Sequence, residues 1–125
     1  SEENRKKITN LEPIDEIEKL YAAADVFILP SIYEPFGNAN LEALASGLPI
    51  ITSRNCGVAE IITPKKEGII LEESSDSKAM AKAIDYLMDS KNREPMRQSA
   101  RLLAEKFTQE RNAFEMLKIY QELIE

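Results

Sequence analysis

The segment Pro30-Ser31-Ile32-Tyr33-Glu34-Pro35-Phe36-Gly37-Asn38-Ala39-Asn40-Leu41-Glu42 concentrates the residues of this 125-residue sequence that could do chemistry. It follows a continuous apolar run, Val26-Phe27-Ile28-Leu29, and leads into an amphipathic stretch, so it reads as a loop between a strand and a helix. Gly37 lets the backbone turn tightly and approach a ligand closely. The amides of Asn38, Ala39 and Asn40 then open the helix without partners inside it, with the positive end of the dipole behind them. Such a terminus takes a phosphate without the help of any cation. Glu34 lies just before the turn and Glu42 in the first turns of the helix. Both carboxylates can face one crevice, where they would accept bonds from sugar and ribose hydroxyls. Spacing alone leaves a plainer reading open, in which Glu34 is a solvated loop acid and Glu42 merely complements the dipole. A capping box does not account for Glu42, because the capping position three residues earlier is Ala39.

Composition narrows the chemistry further. The sequence has no His, which excludes His-based triads, His general acids and His-containing metal sites. Its one cysteine, Cys56, can form neither an internal disulfide nor a multi-thiolate zinc site, which fits a reducing compartment and a cytoplasmic protein. Catalysis must rest on carboxylates, amides, hydroxyls, Lys or Arg. Sixteen basic residues against 22 acidic ones give a formal charge of -6, and no basic cluster overrides it, so no nucleic-acid partner is expected. Hydrophobic residues at 43% and charged residues at 30% describe an ordinary globular chain. No apolar run approaches the ~18 residues of a membrane span, and the chain does not open like a signal peptide.

Four apolar stretches alternate with helical patterns. Ile8-Thr9-Asn10-Leu11 is a weak strand candidate, and Pro13 suits the first position of a helix whose face carries Ile14, Ile17, Leu20, Tyr21 and Ala24. Val26–Leu29 reads as a strand buried on both faces. A helix near Asn38 to Ser46 follows, with Leu41, Leu44, Ala45 and Leu48 as its buried stripe and Gly47 placed to end it. Ile50-Ile51-Thr52 is the next strand, Val58 to Ile62 a short helix, and Gly68-Ile69-Ile70-Leu71 the last strand. Three helical segments finish the chain. Met80, Ile84, Leu87 and Met88 mark the first, and Met96, Ala100, Leu103 and Phe107 the second. Thr108 is placed to cap the third, with Met116, Ile119, Tyr120, Leu123 and Ile124 as its apolar stripe. Tyr21, Phe27 and the Met residues read as core, and Lys65 and Lys66 as a solvated turn. The pattern predicts an α/β fold: a parallel sheet of about four strands, helices on both faces and a helical C-terminus. So thin a sheet reads as part of a larger doubly wound domain.

Ordered blocks carry a resemblance. Ala24-Asp25-Val26-Phe27-Ile28-Leu29-Pro30-Ser31, Glu34-Pro35-Phe36-Gly37, Leu41-Glu42-Ala43 and Ala45-Ser46-Gly47-Leu48-Pro49-Ile50 resemble the C-terminal domain of the group 1 (family 4) retaining glycosyltransferases. Cys56-Gly57-Val58-Ala59-Glu60-Ile61-Ile62 and Glu67-Gly68-Ile69-Ile70-Leu71 follow in the same order. The resemblance implies the GT-B fold, two Rossmann-like domains with the active site between them. Residues 1–125 would be a single domain, the later part of the nucleotide-sugar-binding domain, with the N-terminal acceptor domain outside the chain. Glu34 and Glu42 match the two ends of the family's E-x7-E signature. By that resemblance Glu34 is the catalytic-site acid that contacts the transferred sugar, and Glu42 binds the ribose. The segment Phe36, Gly37, Asn38 and Ala39 would touch the donor sugar and diphosphate. Two features of the family, an Arg and Lys pair that clamps the diphosphate and a Gly-rich loop in the N-terminal domain, are not found in these residues. Cys56-Gly57 stands where many members have Gly-Gly, and the plainest reading of Cys56 is a small residue that fills a tight turn.

The expected function is donor binding in a transferase that moves a hexose, with retention, from a UDP-sugar or GDP-sugar to a glycan or glycolipid. No cofactor and no metal are expected, since no Asp-x-Asp motif occurs. The acceptor, whether polysaccharide, lipopolysaccharide or glycolipid, would be met through the N-terminal domain, which could also bring the protein to the inner membrane face. The 125 residues by themselves are expected to be inactive and prone to self-association. The alternative is a non-catalytic α/β binding or regulatory module whose acids are solvated.

Overall fold

The computed structural model describes residues 2–124. Its sheet has three parallel strands in the order β1 (Phe27–Leu29), β2 (Ile50–Ser53), β3 (Gly68–Leu71). Phe27 pairs with Ile50 and Leu29 with Thr52 on one side of β2; Ile50 pairs with Gly68 and Ser53 with Leu71 on the other. The helices are α1 (Glu2–Arg5), α2 (Ile17–Ala23), α3 (Asn38–Ala45), α4 (Ser77–Met88), α5 (Ser90–Ala104) and α6 (Gln109–Ile124), with a 3-10 turn at Gly57–Glu60.

Every residue of β2 is buried, because β2 alone is central and covered on both faces. On one face Ile50 packs with Tyr21 of α2, Leu44 of α3, Leu48 just after it, Val58 of the 3-10 turn, and Ala100 and Ala104 from the second half of α5. On the other Ile51 packs with Leu71 of β3, Ala83 and Leu87 of α4, and Met96 from the first half of α5. The expected parallel α/β sheet with helices on both faces is therefore present. Caps set the helix starts: the Asp76 carboxylate accepts from the Lys78 and Ala79 amides (3.0 and 2.9 Å), and Thr108 Oγ1 accepts from the Arg111 amide at 3.2 Å. Gly47 ends α3 in a left-handed conformation, with its amide on Leu44 O and that of Leu48 on Ala43 O.

Several expectations need correction. Ile8–Leu11 is not a fourth strand; it is irregular and exposed, with no neighbouring strand to supply its ladder bonds. Val26 lies outside β1, which is an edge strand and not buried on both faces: Ile28 is 39% exposed. Pro13 does not start a helix, for α2 begins at Ile17, and of its expected apolar face only Tyr21 is buried. The segment from Val58 makes one 3-10 turn and not a helix to Ile62. The α6 stripe is exposed from Met116 to Ile124, since nothing among the described residues packs over it. Met96 is core as expected, but Met88 and Met116 are exposed. No helix among the described residues is long and apolar enough to cross a membrane.

Candidate functional site

Parallel strands bring their carboxyl ends to one rim, where the loops after β1 and β2 meet. Thr52 Oγ1 donates to the Leu29 carbonyl at 3.3 Å, and Ser53 Oγ donates to the carbonyl of Ser31. Further out the loops run side by side as an extension of the sheet. The Glu34 amide donates to Asn55 O (3.2 Å), that of Gly57 to Glu34 O (2.9 Å) and that of Val58 to Phe36 O (3.1 Å). Glu34 thereby holds an isolated parallel bridge with Cys56.

Gly37 then swings the chain into α3 with φ 82 and ψ 71. A Cβ there would stand 2.7 Å from Asn40 Nδ2 and 3.1 Å from Glu34 Cγ, so conformation and space both require glycine. The turn leaves the amides of Asn38 and Ala39 without an acceptor among the described residues. Asn40 differs from expectation. Its amide already donates to Gly37 O at 2.9 Å, so the expected trio of open amides is a pair. Its side chain is fully buried beside Gly37, and neither polar atom has a partner among the described residues.

Glu34 is half-buried and Glu42 exposed on α3. The Tyr21 phenol donates to Glu42 Oε2 at 3.2 Å, while its ring meets Phe27 edge-on at 5.7 Å between centroids. Burial first, then the bond to Glu42, raises the Tyr21 phenol above its ordinary ionisation range. The core reading of Tyr21 accounts for its ring and misses its hydroxyl. A phenol on an otherwise aliphatic helical face was the signal for it.

A groove of about 980 Å³ runs between α3 and the corner joining α5 to α6. Phe36, Asn38 and Glu42 line one wall; Glu34, Gly37 and Ala39 do not take part. Arg101, Lys106 and Arg111 line the other, where Arg101 donates to the Ala45 carbonyl and Arg111 to Lys106 O at 2.8 Å. Cys56 is 1% exposed within the core. Burial pushes its thiol up, but hydrogen bonds with Thr52, Ser53 and Ser31 outweigh that and leave it below the ordinary value. It packs, as read from the sequence. Lys65 and Lys66 form an exposed turn. No three His, Cys, Asp or Glu side chains gather around one point among the described residues.

A strand-to-helix loop with this glycine turn, between these two acids, sits within a region, residues 1–103, that matches the family model of the glycosyl transferases group 1. The chain belongs to that family. Spore coat protein SA of Bacillus subtilis (strain 168) is 38% identical over 109 residues, covering 85% of this chain and 29% of that protein. A glycosyltransferase from Rickettsia africae superposes with a TM-score of 0.85 at 26% identity, covering 97% of this chain and 33% of that one. The pneumococcal O-GlcNAc transferase GtfA, solved with UDP and GlcNAc, gives a TM-score of 0.81 at 25% identity over 98% of this chain and 26% of that one. The solved neighbours of this group 1 chain are GT-B glycosyltransferases. It spans 29% of the length of the spore coat protein, and 33% and 26% of the two solved glycosyltransferases.

Proposed function

We propose that this group 1 chain is the donor-binding part of a retaining glycosyltransferase that moves a hexose from a nucleoside diphosphate sugar to a glycan or glycolipid. One observation carries the reading: in the segment that runs from Glu34 to Glu42, the Gly37 turn opens α3 at the carboxyl rim of a parallel sheet with the Asn38 and Ala39 amides free of acceptors among the described residues. When the bond between the anomeric carbon and the phosphate oxygen breaks, negative charge grows on the diphosphate. The Asn38 and Ala39 amides, with the α3 dipole behind them, are already aimed where that charge develops, so no reorganisation is needed at the moment of reaction. Glu34 accepts hydroxyls of the transferred sugar and holds its reactive carbon in place; Glu42 accepts hydroxyls of the ribose. Phe36 and Gly37 form the backbone wall against the sugar. This arrangement calls for no resident cofactor and no metal. A relative solved with UDP supports a UDP-sugar donor, with a GDP-sugar as the other candidate.

The test is ligand-detected NMR on the complete gene product containing these residues, with UDP, GDP and AMP. Strong ribose and base contacts for UDP or GDP, and weak ones for AMP, support the reading. Equal, feeble contacts with all three would instead favour a non-catalytic module.

A further inference from the structure

We propose that Tyr21 is a positioning residue for the donor's ribose: its phenol holds one carboxylate oxygen of Glu42 and leaves the other to receive the ribose hydroxyls. The inference rests on the ribose role given to Glu42 above and adds the group that orients it. Glu42 is an exposed side chain on α3 with several rotamers open to it. The only hydrogen bond its carboxylate makes among the described residues comes from the Tyr21 phenol, at 3.2 Å to Oε2. Tyr21 is itself held firmly. It is 7% exposed, the one buried residue of α2, wedged edge-on to Phe27 in the cluster that contains Leu44 and Leu48.

The chain of support therefore runs from the core, through a rigid aromatic ring, to a surface carboxylate on α3. A carboxylate only accepts, so once one oxygen accepts the hydrogen bond of the phenol the other remains open to ribose hydroxyls. Fixing the carboxylate before the ligand arrives removes rotamer entropy that binding would otherwise have to overcome. Burial keeps the phenol protonated to unusually high pH, so the donor is present under all ordinary conditions.

The experiment measures UDP and GDP affinity of the complete gene product by calorimetry, alongside their 2′,3′-dideoxy analogues. Tyr21→Phe should keep the melting temperature and weaken UDP or GDP binding about three- to tenfold, the worth of one hydrogen bond. It should leave the dideoxy analogues unaffected, and it should add nothing on top of Glu42→Gln. A packing role would instead weaken ribose and dideoxy forms alike. That result, or no loss at all while Glu42→Gln weakens ribonucleotide binding, overturns the proposal. If Glu42→Gln itself changes nothing, the ribose role of Glu42 fails and the proposal falls with it. Should Tyr21→Phe misfold, a fluorinated tyrosine at position 21 keeps the shape and ionises at lower pH. Ribonucleotide affinity should then fall at lower pH than in the parent, and an unchanged pH profile overturns the proposal.

Discussion

Gly57 and Pro35 meet so closely that a Cβ on Gly57 would stand 1.9 Å from the Pro35 carbonyl oxygen and 2.9 Å from Phe36 Cα. The contact joins the loop after β2 to the loop that carries Glu34, and both sides are backbone, so neither can step aside as a flexible side chain would. Gly57→Ala should therefore push the Glu34 loop away from its bonds to Gly57 and Val58. A loss of about 1–3 kcal/mol of stability is expected, as for other overpacked sites, together with weaker donor binding. Thermal unfolding and nucleotide titration of the variant check both; unaltered values for both would mean the loops are not coupled.

Glu42→Ala should weaken UDP or GDP binding by ~1.5–3 kcal/mol, the value of a hydrogen bond to a charged group, with little change in melting temperature. Glu42 is exposed and off the Ala43/Leu44 core face, so the fold does not depend on its charge. Unchanged affinity in a folded variant contradicts the assignment. Glu34→Gln should divide differently, depressing turnover while nucleotide affinity falls only modestly, since the partner proposed for it is the transferred sugar. Steady-state kinetics and titration separate the two.

Asn40→Leu should be neutral or stabilising by up to about 1 kcal/mol. Neither polar atom of the buried Asn40 amide has a partner among the described residues, and an apolar side chain of the same shape removes the desolvation cost of both. A clear drop in melting temperature would show that the amide has a partner in solution.

Tyr21 gives a pH dependence whose sign follows from its raised phenol. The folded state keeps the proton longer than the unfolded chain, so its contribution is fully present below the ordinary phenol value of 10.0 and fades as pH rises through the higher folded value. Stability in alkaline solution should decline less steeply in Tyr21→Phe than in the parent, which parallel urea titrations across the alkaline range will show.

The 125-residue chain expressed by itself should self-associate, transfer no sugar and bind nucleotide no better than millimolar. The outer edge of β1 has no paired strand among the described residues, and α6 exposes Leu117 at 58%, Leu123 at 77% and Ile124 at 85%. One helix N-terminus contributes only ~0.3–2 kcal/mol towards an anion. Sedimentation showing a monomer at high concentration, or micromolar UDP binding by this chain, would contradict these expectations.

What was legible in the sequence is what local pattern encodes. Periodicity marked α4, α5 and α6, apolar runs marked β2 and β3, and the sequence around Gly37 marked the turn that opens α3. What was not legible depends on partners distant in the chain. Ile8–Leu11 has strand-forming residues but no strand to pair with, and the α6 stripe has helical spacing but nothing over it. The bond between Tyr21 and Glu42 joins two helices across an intervening strand, and no spacing rule reaches that far. The buried, unpartnered Asn40 was likewise hidden, because the sequence shows an open amide at a helix start and not which way its side chain turns.

In the function proposed above, donor phosphate and ribose are met by the segment from Glu34 to Glu42. Chemical-shift mapping of isotope-labelled backbone amides in the complete gene product, on addition of UDP or GDP, tests this directly. The largest shifts are expected at Gly37, Asn38 and Ala39, with smaller ones at Glu42 and Tyr21. Shifts confined to the opposite groove wall around Arg101, Lys106 and Arg111, or spread evenly with no maximum at the α3 N-terminus, would contradict it.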